Sequence, residues 1–534
     1  MKEADQAEPD HARSPGGNGS PGVRWWPAWI ILALAAGALT WVGLTNRLNH
    51  QEQYLRSAAV LLGTGLLLLL WSLFFARLHG RVRLILVGAV FGSLALVVCL
   101  FRLRGVTGDL LPILEWRWAG AARPVAVAGA ASGSARPQAA VVPPPTGHDF
   151  PQFLGPRRDA TMPGTRLERD WKTHPPQFLW RHEVGAGWSG FAVAGPYAIT
   201  QEQRGEKEVV AAYDLTTGRS LWTHADAAHY NTTIAGEGPR ATPTIVSNRV
   251  FTLGATGWLN CLDLRTGATL WTTNVIQDNQ TKLPEWGMSS SPLVWGEWVI
   301  VSPGGGSQSL VAYQAATGWR AWTSGRDGPG YGSACPATLG GVEQVLAFNS
   351  GSVAAFDRGT GKLLWDYPWP RGHPHVAMPV VLGPDRVLVS SGYGTGSELL
   401  QVRRDDAGGW SAARLWKSVR LKAKFTNLVQ RDGHIYGLDD GILACLDAAT
   451  GEQRWKEGRY GHGQVLLVGD LLLVSAESGD LVLVEPVPLE HRELGRVTIF
   501  TRKTWNPPAL AGAYLLVRND LEAACYRLAL VEGR

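Results

Sequence analysis

The chain of 534 residues carries 64 Gly, 32 Pro and 24 Trp against 4 Met, a composition of many tight turns and broad apolar side chains that suits short strands better than long helices. The formal net charge is only +5 and the basic residues are dispersed, so the electrostatic footprint of a nucleic-acid binder is missing. The five cysteines, Cys99, Cys261, Cys335, Cys445 and Cys525, form no CxxC and no adjacent pair, which argues against a disulfide framework or a cysteine metal site.

Residues 1–24 are polar and rich in Gly, Pro and Ser, the composition of a disordered tail. Three charge-free stretches follow: Trp25 to Asn46, Ser57 to Ala76 and Leu84 to Phe101, of 22, 20 and 18 residues. Each is near the roughly 20 residues that span about 30 Å of hydrocarbon as a helix. Residues 25–104 are therefore expected to be a three-helix transmembrane anchor. Two further spans follow the first and no small-residue cleavage pattern stands behind it, which sets it apart from a signal peptide. Trp25, Trp26 and Trp29 suit an interfacial belt. Six basic residues (Lys2, Arg13, Arg24, Arg77, Arg81, Arg83) face five (Arg47, Arg56, Arg102, Arg104, Arg117) across these spans. The count tips the N-terminus toward the cytoplasm and the remainder outside it. Residues 105–148 form a juxtamembrane segment and a linker, since Ala119 to Pro145 lacks aromatics and carboxylates and ends in three prolines.

Residues 149–534 are built from a repeat. AYDLTTGRSLW ends at Trp222, CLDLRTGATLW at Trp271, AYQAATGWRAW at Trp322, AFDRGTGKLLW at Trp365 and CLDAATGEQRW at Trp455, while Trp180 and Trp416 keep only the closing Trp. The intervals are 42, 49, 51, 43, 51 and 39 residues, the length of one four-stranded propeller blade. The Asp is placed to accept hydrogen bonds from the turn amides, and the Gly supplies a positive φ. The Trp ring is free to seal the joint with the next blade. Cys261, Cys445 and Cys525 recur at one equivalent strand position, as small buried residues. Two weaker units, around Gln464 and around Pro507, complete an all-β, eight-bladed β-propeller, with seven blades as the alternative. The strand around Phe178 to Val184 is expected to complete the last blade and close the ring, which removes exposed sheet edges.

These repeats resemble the tryptophan-docking repeats of the pyrroloquinoline quinone (PQQ)-like propellers, which include quinoprotein dehydrogenases and the propeller lipoprotein of the outer-membrane β-barrel assembly machine. DFPQFLGPRRDA, Asp149 to Ala160, resembles the opening of many bacterial PQQ-like repeat proteins. GDLLPILEWRW, Gly108 to Trp118, resembles a juxtamembrane segment of membrane-tethered members. The resemblance implies the fold strongly and the activity weakly.

Propellers bind ligands at the channel mouth, before the innermost strands. These strands are expected near TPTIV, SSPLV, CPATL, MPVVL, TNLVQ, GQVLL and PPALA, and Arg240, Trp286, Tyr331, His375, Lys424, His462 and Trp505 lie just upstream. Arg240, Trp286, Tyr331, Lys424, His462 and Trp505 are the cofactor-binding candidates, because cations and flat rings suit a planar tricarboxylate such as PQQ. The other reading is that they are ordinary strand-end residues. Quinoprotein dehydrogenases add calcium and an Asp base; Asp278, Glu285 and Asp327 share no spacing that assigns such roles, and the adjacent-cysteine ring is missing. Membrane-bound glucose dehydrogenases resemble this chain in having several N-terminal helices. His373 and His375 are a close pair without further metal-ligand spacing. No catalytic residue is assigned. The favoured expectation is a non-catalytic scaffold in a bacterial inner membrane, multi-pass, with protein partners on a propeller face outside the cytoplasm. The alternative is a PQQ-dependent oxidoreductase acting on alcohols or sugars.

Overall fold

The computed structural model describes residues 23–45, 50–118 and 149–531, except 233, 235 and 307. The expected tail through residue 22 and the Ala/Pro-rich stretch 119–148 lie outside the described residues. The chain forms two compact units: the first holds Met1–Leu103 and Leu114–Ala119, the second Arg104–Ile113 and everything from Gly120 onward.

In the first unit three helices, Trp26–Leu44, His50–Leu70 and Gly80–Leu100, cover the three apolar stretches. All are long and apolar enough to cross a membrane, and protein covers almost none of their surface, as suits helices solvated by hydrocarbon. The second begins upstream of Ser57 because HQEQYLR contains good helix formers and no breaker. It ends in a wide turn, Trp71–Phe75, where the Ala76 amide donates to the Trp71 carbonyl at 2.9 Å. Trp71 also donates from its indole to the Arg24 carbonyl at 3.1 Å.

The second unit is an eight-bladed propeller of antiparallel sheets. Blades 1 to 7 span residues 192–226, 244–274, 293–324, 335–368, 380–418, 429–459 and 464–498. Blade 8 combines residues 509–527 with the strand Gln177–Glu183, which pairs with Glu522–Arg527. The ring thus closes with a strand from the start of the domain, as expected. Arg518, fully buried, clasps this seam by donating to Thr200 Oγ1 at 2.6 Å and to the carbonyls of Gln201 and Gly185 at 3.0 and 3.1 Å.

Most blades repeat one joint. The third strand carries a bulge just after the residue that faces the docking Trp: Cys525 faces Trp180, Cys261 faces Trp271 and Cys445 faces Trp455. These cysteines are buried, at the equivalent position their sequence frames predicted. The Trp then crosses to the next blade. Its indole donates to a backbone carbonyl there, as Trp180 does to Leu215 and Trp222 to Leu264, both at 2.9 Å, and its ring lies flat on the turn glycine. A Cβ on Gly218 would sit 2.6 Å from Trp180, and one on Gly267 2.7 Å from Trp222 Cδ2. The turn itself is held as its sequence predicted: Asp263 Oδ1 accepts from the amides of Arg265 and Thr266 at 3.1 and 2.9 Å.

Blade 7 departs from the rule. Gly495 stands where the other blades have Trp, opposite Leu483. Trp171, from the segment before blade 8's strand, fills the gap: a Cβ on Gly495 would come within 2.9 Å of it.

Candidate functional site

The inner strands surround a channel whose two ends differ. Away from the mouth, residues 149–162 run against the inner strands of several blades. Phe150 bridges Val193 of blade 1, Pro151 accepts from the Ile245 amide of blade 2 at 2.7 Å, and Thr161–Met162 pairs in parallel with Leu467 and Val468 of blade 7. Arg158, buried, donates to the Ser291 and Pro292 carbonyls just before the inner strand of blade 3 at 3.0 Å each. The segment recognised by resemblance is thus a stopper. A string of carbonyl contacts holds it, and Phe153 from it lines the cavity above.

That cavity, about 190 Å³, is lined by Trp188, Arg240, Trp286, Tyr331, Phe425 and Trp505 among others. Four of the six cofactor-binding candidates, Arg240, Trp286, Tyr331 and Trp505, therefore meet in one place. The rings pair around it, tilted to one another: Trp188 and Trp505 lie 5.0 Å apart, and Trp286 and Tyr331 5.4 Å apart. Arg240 is engaged by its own loop. Its guanidinium lies 4.4 Å over the Tyr230 ring and donates to the Gly236 and Gly238 carbonyls, and burial holds it below the ordinary arginine range.

Lys424 and His462, the other two candidates, sit beside this cavity beneath residues 107–111, which belong to the propeller unit. These residues form the tip of a hairpin whose strands are Phe101–Val106 and Pro112–Trp116. The Leu110 amide closes a tight turn onto the Thr107 carbonyl at 2.9 Å, with Leu110 in the left-handed region. Gly108 then donates its amide to Glu477 Oε1 at 2.8 Å and accepts at its carbonyl from Lys424 Nζ at 2.5 Å. Asp109 Oδ1 lies 3.0 Å from His462 Nε2. Lys503 Nζ donates to the Val106 carbonyl at 2.9 Å, while Arg104 pairs with Asp520 at 2.8 Å. Burial pushes the Lys503 ammonium down to about 8 and lowers Lys424 as well. Lys503 also lies 3.8 Å over the Trp505 ring.

His375 is elsewhere: it stacks on Phe348 at 4.5 Å and its Nδ1 meets the Asn349 carbonyl at 2.6 Å. His373 stacks on Tyr393, so the histidine pair does not converge. Asp278 meets Tyr313 and Arg320, whereas Asp327 is satisfied by Ser350, Gly351, Ser352 and Arg371. Among the described residues no three His, Cys, Asp or Glu side chains are grouped to hold a metal.

Sequence reasoning missed Trp188, Phe425, Glu477, Lys503 and the hairpin tip. Trp188 follows the same rule as the candidates, lying just before the inner strand of blade 1, and Phe425 adjoins Lys424. Glu477 lies between the second and third strands of blade 7 and has no such signal.

The family profile described as outer membrane protein assembly factor BamB matches residues 206–457. The likeness is to the BamB-type, PQQ-like propellers. BamB from Moraxella catarrhalis is 16% identical, covering 67% of this chain and 99% of its own, with a TM-score of 0.49. A europium-containing methanol dehydrogenase is 12% identical over 72% of this chain and 98% of its own, with a TM-score of 0.55. The quinohemoprotein alcohol dehydrogenase of Comamonas testosteroni is 13% identical over 72% and 81%, with a TM-score of 0.53. At such identities the likeness to the two dehydrogenases is one of fold. No curated protein sequence matches the chain.

A calcium-bound PQQ needs cations for its carboxylates and oxygen ligands for the ion. Here Arg240, Lys424, His462 and Lys503 are all engaged by the chain's own carbonyls or carboxylate, and both Glu477 oxygens accept from N–H donors, including Trp505 Nε1 and the His462 amide. In this arrangement the residues do not fit that group.

Proposed function

We propose that the chain is a non-catalytic binding module, anchored by its three helices in a bacterial inner membrane, whose rigid propeller receives proteins or envelope components outside the cytoplasm. The observation that carries this reading is the state of the channel mouth, where the charged groups expected to grip a cofactor are instead spent on backbone recognition. A rigid ring with one end stoppered and the other end set to hold polypeptide suits docking more than turnover.

The competing reading, a membrane quinoprotein oxidoreductase, is favoured by the fold shared with the two dehydrogenases and by the aromatic walls of the cavity. Purified protein mixed with PQQ and calcium separates the two. We expect no cofactor absorbance, no rise in melting temperature and no dye reduction with alcohols or sugars; appearance of all three overturns the binding-module reading. A reporter fused after residue 534 tests the side of the membrane, and activity of one that works only in the cytoplasm reverses the orientation.

A further inference from the structure

The hairpin tip is read by the propeller as a ligand is read. Both backbone polar groups of Gly108 are met by charged side chains, Glu477 for the amide and Lys424 for the carbonyl, and Lys424 and His462 are nearly sealed from water, at 3% and 2% exposure. Such charge-assisted contacts to a backbone are among the stronger hydrogen bonds when desolvated. Position 108 is restricted to glycine by space, because a Cβ there would collide with the edge of the His462 ring. Position 109 is selected by chemistry, because its carboxylate faces the same imidazole. A smooth covalent hinge would need none of this selectivity. A recognition site for a particular dipeptide needs all of it.

We infer that this half of the channel mouth is a recognition site for a polypeptide turn carrying Gly followed by Asp, filled in cis by residues 107–111 and open to the same turn from a partner protein. The inference rests on the binding-module reading and names the chemistry of its ligand. The aromatic cavity beside it, bordered by Phe425 and Trp505, is where side chains flanking a partner's turn would lie, since Phe425 contacts the His462 ring at 5.5 Å and Trp505 donates to Glu477.

The test uses the full chain in detergent. A cyclic peptide containing Val-Thr-Gly-Asp-Leu-Leu-Pro is added while hydrogen exchange of the segment 104–111 is followed. A tethered tip has an effective concentration on the order of millimolar, so peptide at several millimolar should displace much of it and speed exchange of that segment by at least about two-fold. The Gly-to-Ala and Asp-to-Asn versions of the peptide should leave exchange unchanged. No acceleration by the Gly-Asp peptide, or equal acceleration by the Ala version, overturns the proposal. In a second arm Gly108→Val expels the tip, and fluorescence anisotropy should then show binding of labelled peptide that is lost when His462→Ala or Glu477→Gln is added. Should Gly108→Val fail to fold, the exchange arm decides alone. Peptide competition together with PQQ-dependent dye reduction would remove the non-catalytic reading while keeping this site; no competition and no cofactor response would do the reverse.

Discussion

Oδ1 of Asp109 lies 3.0 Å from Nε2 of His462, 353 residues further along the chain. Asp109→Ala removes this contact and leaves the Gly108 backbone contacts in place. Loss of one hydrogen bond to a charged group at a mostly buried site costs about 1–2 kcal/mol. The Gly108 amide should then exchange roughly ten-fold faster in the variant than in the native chain, with exchange in blades 2 to 6 unchanged.

The tryptophan joint depends on the absence of a side chain at the turn glycine. Gly267 and Gly433 both have positive φ, +70° and +75°, yet a Cβ at Gly267 meets Trp222 and one at Gly433 meets nothing within 4 Å. Gly433→Ala carries only the left-handed penalty of about 1–2 kcal/mol. Gly267→Ala adds overpacking of about 1–3 kcal/mol. Denaturant unfolding should rank Gly267→Ala clearly below Gly433→Ala; equal midpoints would remove the ring-on-glycine account of the joint.

Trp171 replaces the ring that blade 7 lacks. Because it is only 6% exposed and packs on Gly495, Trp171→Ala should destabilise the propeller by about 3–5 kcal/mol. The measurement is the thermal or urea midpoint of the variant, and a change under about 1 kcal/mol would mean that the blade 7 joint is held by other contacts.

Lys503 gives the fold a pH signature. Burial first, with Arg104 adding to it and Asp520 and Glu477 opposing, holds its ammonium down to about 8. A folded value below the unfolded one means that the unfolded chain binds the proton more tightly. The contribution of this group is therefore fully present above the ordinary lysine value and is lost as pH falls to about 8. Compared with Lys503→Met, the native chain should gain melting temperature between about pH 8 and 10. A constant difference across that range would contradict the burial of the ammonium.

The sequence by itself determined the blades. Asp, Thr, Gly and Trp at fixed offsets act within one hairpin and its neighbour, so the turn at Asp263, the joint at Trp222 and the equivalent strand positions of Cys261, Cys445 and Cys525 were all legible from local spacing. The ring of upstream residues was legible too, because every inner strand begins at the same end of the channel; hence Arg240, Trp286, Tyr331 and Trp505 meet. Tertiary structure alone decided what those residues face. Asp149 to Ala160 stoppers the channel, Trp171 stands in for the missing ring opposite Leu483, and the hairpin tip takes up Lys424 and His462. Each of these contacts joins segments more than a hundred residues apart or fills a space left by a residue that is not there. Periodicity along a chain reports neighbours one repeat away, and it carries no record of which distant segment the closed ring admits to its axis.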